Sequence, residues 1–155
     1  MNPSKLPGWA KPFVMKNFIL DNHFIVEWGG TRSDFIEVQG LSFQREIVTV
    51  RDGAQFDSPA RKLPGNELVN NVILRRYLKK NDQELYLWWK EQTSRLDARD
   101  IVIKLLNAQH EPEFAWFLNG AFPVRVGYST LNSQQGQPLV EEVEICFDNI
   151  RQEAF

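Results

Sequence analysis

Short runs of alternating apolar and polar residues, each ended by glycine, proline or a polar turn, recur along most of this 155-residue chain. A period of two places successive side chains on opposite faces of a strand, so the pattern predicts a mainly β protein. The predicted strands are residues 24–28, 35–38, 41–50, 70–77, 101–105, 114–118, 122–128 and 140–147. Seven or eight strands with one helix predict two packed antiparallel sheets that form a sandwich or a partly open barrel.

In two of these runs the apolar and polar side chains separate onto opposite faces of the strand. In the run 41–50 the polar residues favour one side, which predicts a half-buried strand. In the last run Val143, Ile145 and Phe147 share one face, and the face opposite carries Glu142, Glu144 and Cys146.

Residues 81–95 depart from the period of two and predict an amphipathic helix flanking the sheets. Asn81 is expected to cap the helix, with Glu84 three residues later completing a capping box. The spacing i, i+3, i+4 predicts one packed apolar stripe, formed by Leu85, Trp88 and Trp89.

The amino-terminal arm, residues 1–19, contains three prolines and a glycine and lacks a regular period. Its aromatic residues Trp9 and Phe13 need a surface to pack against. Two surfaces remain possible: the arm folds back on its own domain, or it contacts a neighbouring copy. The β domain is predicted to span 20–150, followed by a short carboxy-terminal tail, 151–155.

A second stretch without periodicity, Asp52 to Gly65, predicts a loop of 14 residues. Loops of this length inside a compact domain are commonly functional.

The sequence offers no catalytic, metal or cofactor motif. Cys146 is the one cysteine, which excludes a disulfide scaffold, and a packed thiol is favoured over a nucleophile. His110 precedes Glu111, but Pro112 breaks the helical geometry that a metal-binding H-E-x-x-H motif requires. The adjacent acids Glu141 and Glu142 point to opposite strand faces and cannot act together as acid and base. We therefore expect no enzyme.

Charge and hydropathy argue against nucleic-acid and membrane partners. The net charge of -2 argues against nucleic-acid binding. No apolar run approaches the roughly 18 residues of a membrane helix, and no signal-peptide core is present. We expect synthesis in the cytoplasm.

An ordered set of segments resembles the inner tube proteins of contractile injection systems, relatives of phage tail tubes and of the haemolysin-coregulated protein of type VI secretion. The similarity is strongest to those of extracellular, phage-tail-like particles. It rests on FIVEWGG at 24–30, EVQGL at 37–41, VRDG at 50–53, RKLPG at 61–65, NVILRR at 71–76, the helix with Trp88 and Trp89, RDIVIKLLN at 99–107, Trp116, the 119–123 turn and EEVEI at 141–145.

The resemblance implies a structural subunit that forms hexameric rings, stacked into a tube inside a contractile sheath. Implied partners are the sheath, a baseplate or spike hub, a tube-terminating cap and effector cargo in the lumen, in a particle that is released or membrane-anchored. The family's long loop reaches the adjacent ring, which here implies inter-ring contacts from Arg51, Asp52, Gln55, Phe56 and Asp57. Trp9 and Phe13 are the candidates for an inter-subunit arm.

Two alternatives remain at this point. The bulk tube subunit is the favoured interpretation, but the long arm rich in proline and aromatic residues departs from the family pattern and leaves a specialised ring at the baseplate, such as a tube initiator, as the alternative. From another class, a monomeric small β-barrel that binds a ligand would have the same strand pattern, although the long loop and the arm fit it poorly.

Overall fold

A computed structural model describes residues 7, 18–30, 34–51, 53 and 59–155. Within them the chain forms nine strands and one helix. The elements are β1 (Phe24–Glu27), β2 (Phe35–Gln39), β3 (Gln44–Val50), β4 (Arg61–Leu68), β5 (Val72–Tyr77), α1 (Glu84–Glu91), β6 (Arg99–Leu106), β7 (Pro112–Tyr128), β8 (Val140–Cys146) and β9 (Asn149–Ala154).

All strand pairs are antiparallel, and β7 belongs to both layers of the fold. Seven strands are linked in the order β1-β6-β7-β8-β5-β2, with β9 also paired to β7. The first part of β7, up to Ala121, pairs with β6 and β9, whereas the part from Phe122 onward pairs with β8. The long strand therefore passes from one sheet, β1-β6-β7-β9, into a second, β7-β8-β5-β2.

The core lies between these two sheets. The first sheet contributes Val26, Ile101, Ile103 and Leu118, and the second contributes Val72, Leu74, Val143 and Ile145, all buried. The sheets do not close into a barrel. The predicted class, mainly β with two packed antiparallel sheets and one flanking helix, is confirmed.

Helix α1 closes one end of the sandwich through a cluster of aromatic rings. The Trp88 ring lies 5.6 Å from that of Trp28, and the Arg99 guanidinium sits over both rings, at 4.7 and 5.2 Å. The indole Nε1 of Trp88 donates to the Asp97 carbonyl at 2.9 Å. Apolar contact, cation–π attraction and a satisfied indole donor together hold the helix against the core.

The helix is shorter than the sequence predicts and begins differently. It runs from Glu84 to Glu91 instead of 81–95, and its N-cap is Gln83, whose side chain makes no capping hydrogen bond. Asn81 adopts a left-handed backbone, φ 61°. The Asp82 carboxylate accepts from the Glu84 amide at 3.2 Å, in the role predicted for Asn81.

Two segments predicted as loop or turn are strand in the structure. Residues 61–65, predicted as loop, form the first part of β4. The turn predicted at Asn119 and Gly120 is continuous strand, because Gly120 turns β7 between the sheets at φ 67° without ending it. The predicted carboxy-terminal tail is largely the edge strand β9.

Candidate assembly interface

Strands β3 and β4 form a separate two-stranded sheet that prolongs the second sheet. β2 leads into β3 through residues 40–43, and β4 leads into β5 through 69–71. At the junction Gly40 has φ 97°, and a Cβ there would lie 2.8 Å from the Asn71 carbonyl oxygen, so the close approach requires glycine. The Asn70 amide donates to Gln44 Oε1 at 2.8 Å.

The β3–β4 hairpin exposes apolar side chains on both faces. Every residue of β3 is exposed, contrary to the half-buried strand that the sequence predicts. Ile47 is 69% exposed on one face, and Val48 and Leu63 are 43% and 49% exposed on the other. An isolated two-stranded sheet is marginally stable in water at best. The hairpin therefore presents an apolar surface that a second molecule can cover.

Several strand edges are also unpaired within the described residues. β1 pairs only with β6, β2 only with β5, and β9 only with β7. Residues 122–128 of β7 pair only with β8. The Trp89 indole caps one carbonyl of that edge, donating to Val124 O at 3.3 Å. Unpaired edges are templates for adding a strand from another chain.

A ladder of paired charges crosses the outer face of the second sheet. Arg75 contacts Glu37 at 2.9 Å and Glu142 at 2.7 Å, and Arg125 also donates to Glu142. The hydrogen bond from Arg125, together with Arg75, lowers the pKa of Glu142, and the bond to Glu142 raises the pKa of Arg75. Within this ladder the two positive and two negative charges neutralise one another.

An apolar groove of about 300 Å³ opens between the unpaired edges of β1 and β2. Its walls carry Phe24, Ile36, Val38, Leu105 and Trp116. The described chain enters β1 beside this groove, through the exposed residues 18–20. The groove therefore borders the point at which the chain enters the β domain.

The predicted site residues fall into three groups. Arg51 is exposed at the end of β3. Leu85 and Trp88 are buried, whereas Trp89 is 40% exposed. Six others lie outside the described residues: Trp9, Phe13, Asp52, Gln55, Phe56 and Asp57.

Candidate chemistry is sparse in the described part of the chain. No three His, Cys, Asp or Glu side chains there are grouped closely enough to hold a metal ion together. None of its helices is long and apolar enough to cross a membrane. His23 and His110 meet although 87 positions separate them, a contact that no local sequence pattern indicates.

The family comparison covers almost the whole β domain. Residues 20–151 match the family model described as "T4-like virus tail tube protein gp19". None of the curated protein sequences matches the chain.

Solved structures show the same fold. A chain from the sheath–tube complex of the PVC extracellular contractile injection system is 25% identical, with a TM-score of 0.81, 90% of this chain covered and 94% of that one. A chain from the sheath/tube terminator of that system is 26% identical at the same TM-score, covering 91% and 100%. Hcp1 from Flavobacterium johnsoniae is 13% identical, with a TM-score of 0.52 and coverage of 89% and 97%, which shows the fold alone. The chain therefore belongs to the T4-like tail tube protein gp19 family and is a structural tube subunit of a contractile injection system.

Proposed function

We propose that the chain closes into hexameric rings that stack into the inner tube of an extracellular contractile injection particle. The observation that carries the proposal is the β3–β4 hairpin, whose apolar side chains are left uncovered by the described residues of one copy. In a ring, a neighbouring copy covers the hairpin.

Ring closure makes use of the unpaired edges. A head-to-tail contact joins two different surfaces of the same chain, and such contacts close when their rotation completes a circle. Bringing β-edges of adjacent copies together satisfies backbone groups that otherwise face water, and it removes the risk of uncontrolled strand addition. Burial of apolar hairpin area adds about 25 cal/mol per Å².

Stacking of rings is assigned to the loop that leaves β3. Arg51, Asp52, Gln55, Phe56 and Asp57 are proposed to contact the adjacent ring. Trp9 and Phe13 are proposed to anchor the arm on a neighbouring copy, for which the apolar groove between β1 and β2 offers a surface.

The proposed partners follow the assemblies in which the similar proteins were solved. Those assemblies are a sheath–tube complex, a tube-terminating cap and a baseplate. We propose that this tube lies within a sheath, starts at a baseplate hub, ends at a cap, and carries effectors in its lumen without enzymatic activity. The chain is made in the cytoplasm and acts in the assembled particle.

Sliding of the tube out of a contracting sheath requires weak lateral contacts. The ladder of Glu37, Arg75, Glu142 and Arg125 fits a sliding surface, because its charges are already paired within one copy. Exposed ion pairs contribute only about 0–1 kcal/mol each.

Electron microscopy of the purified protein, with light scattering for mass, tests the proposal. We expect rings with an open centre and stacks of rings from the natural sequence, and neither from Val48→Lys, which places a charge on the hairpin. Leu131→Lys is the matched control, since Leu131 is 82% exposed but lies outside the hairpin. Stacks of normal length from Val48→Lys would contradict the proposed role of the hairpin.

The same images separate the alternatives. Single rings that never stack would indicate a specialised ring at the baseplate. A strict monomer at every concentration, with or without a baseplate template, would favour a ligand-binding module and overturn the tube assembly.

A further inference from the structure

The two histidines of the chain meet at the end of the sandwich opposite the aromatic helix cluster. His23 immediately precedes β1, and His110 lies in the turn between β6 and β7. His23 Nε2 and His110 Nδ1 are 3.1 Å apart, with the ring planes nearly perpendicular, at 86°.

The second nitrogen of His23 determines which tautomer it adopts. His23 Nδ1 lies 3.1 Å from the Asn107 carbonyl oxygen, which can only accept, so Nδ1 carries the proton. The Nε2 lone pair of His23 therefore points towards His110. An imidazole that donates one N–H to a backbone carbonyl and offers the other nitrogen is the arrangement that proteins use to orient metal ligands.

The turn that carries His110 is built to hold it in place. Asn107 Oδ1 accepts from the backbone amides of Gln109 and Glu111, both at 2.9 Å. The His110 amide donates to the Asn107 carbonyl at 3.0 Å, and His110 adopts a left-handed backbone, φ 62°. Asn107 thus orients the His23 imidazole and fixes the backbone of the turn at His110.

The distance between the two nitrogens fits one shared metal ion. Zinc binds imidazole nitrogen at about 2.0–2.1 Å. With two such bonds and the observed separation, the angle at the metal is roughly 100°, between the octahedral and tetrahedral values. Binding the ion at this separation requires the His110 tautomer that carries its proton on Nε2, so that the Nδ1 lone pair is free for the metal. Water can fill the remaining positions.

We propose that His23 and His110 form a surface site for a divalent transition metal ion of the kind that prefers imidazole, with Zn²⁺ as its representative. The bound ion ties the start of the edge strand β1 to the β6–β7 turn. It therefore fastens the point at which the amino-terminal arm leaves the domain. Both ligands come from one copy, so the site needs no residue from a second chain.

Equilibrium dialysis against micromolar Zn²⁺, with metal per chain measured by mass spectrometry, tests the site in single copies and in tubes. We expect one Zn²⁺ per chain, and no comparable retention of Mg²⁺, which prefers oxygen ligands. His23→Ala and His110→Asn should each weaken binding by about tenfold or more. Asparagine tolerates the left-handed backbone at position 110, so that variant removes the ligand without disturbing the turn.

Cys146→Ser is the control for binding at the half-buried thiol. The proposal requires this variant to keep its metal. No retained Zn²⁺ in the natural sequence, or equal retention in both histidine variants, would overturn the proposal, and the histidines would then be a hydrogen-bonded pair only.

Discussion

Arg76 Nε donates to Glu141 Oε1 at 2.9 Å between neighbouring strands β5 and β8, and both side chains are excluded from solvent. Arg76 also contacts Asp82 at 3.1 Å, and Asp82 holds the first amide of α1. The buried ion pair therefore links the core of the second sheet to the start of the helix. Arg76 Nη1 has no hydrogen-bond partner among the described residues.

Removing one partner of this pair should destabilise the fold strongly. Glu141→Leu leaves the Arg76 charge buried beside Asp82 alone, and we expect a loss of about 3–5 kcal/mol in the free energy of unfolding. Urea unfolding, followed by tryptophan fluorescence, measures the free energy of unfolding of the variant and of the natural sequence. The double variant Arg76→Met/Glu141→Leu should recover part of this loss, because it buries no charge. Strictly additive losses would show that the two side chains are not coupled.

The adjacent tryptophans of α1 should differ in their contribution to stability. Trp88 is 2% exposed and packs against Trp28 and Arg99, so Trp88→Ala should cost about 3–5 kcal/mol. Trp89 is 40% exposed and makes one long hydrogen bond to Val124, so Trp89→Ala should cost about 1 kcal/mol. Thermal unfolding of the two variants checks this. Equal losses would mean that the exposed face of α1 is as important to the monomer as the buried one.

The sequence predicts the sandwich well wherever one strand face is buried. In β8 the alternation is strict, and Val143, Ile145 and Phe147 are buried as the pattern predicts. The opposite orientation of Glu141 and Glu142 follows from the same period. Glu141 lies with Arg76 in the core, and Glu142 lies with Arg75 on the outer face.

The alternating pattern does not predict strands that are held extended by pairing with other strands and not by burial of one face. β4 contains Pro64 and Gly65 and packs on no core, so nothing in its sequence imposes a period of two. β7 continues through Gly120 because both of its ends have paired neighbours, although the local sequence favours a turn.

The sites are harder to predict than the strands, because they join distant residues. Arg76 and Glu141 are 65 positions apart, and His23 and His110 are 87 apart. Only the pairing of strands brings each couple together. No spacing within the sequence reports either contact.

Acid should weaken the fold through Glu142. Its pKa in the folded chain lies below the ordinary 4.5 because Arg125 and Arg75 stabilise the carboxylate. The folded state therefore binds this proton less readily than the unfolded state, so the contribution is complete above about pH 4.5 and is lost as pH falls through the lower folded value. We expect a loss of about 1 kcal/mol from this group, measured as urea midpoints against pH. Glu142→Gln should lack that part of the acid dependence, and an unchanged pH profile would contradict the assignment.

Gly120 should be the glycine of β7 that tolerates substitution least. Its φ of 67° lies in the left-handed region, and a Cβ there would approach Asp148 Oδ2 to 2.2 Å. Gly120→Ala must adopt a backbone that costs an L-residue roughly 1–2 kcal/mol, and it must also displace the Asp148 carboxylate.

Gly136→Ala is the matched control, since a Cβ there meets no atom within 4 Å and φ is not positive. We expect the control to be neutral or slightly stabilised, because alanine lowers the entropy of the unfolded chain. Because β7 joins the two sheets at Gly120, the strained variant should lose stability in both sheets in a single cooperative transition. Hydrogen exchange that weakens only around residues 119–121 would show instead that β7 relaxes locally and that the two sheets are independent.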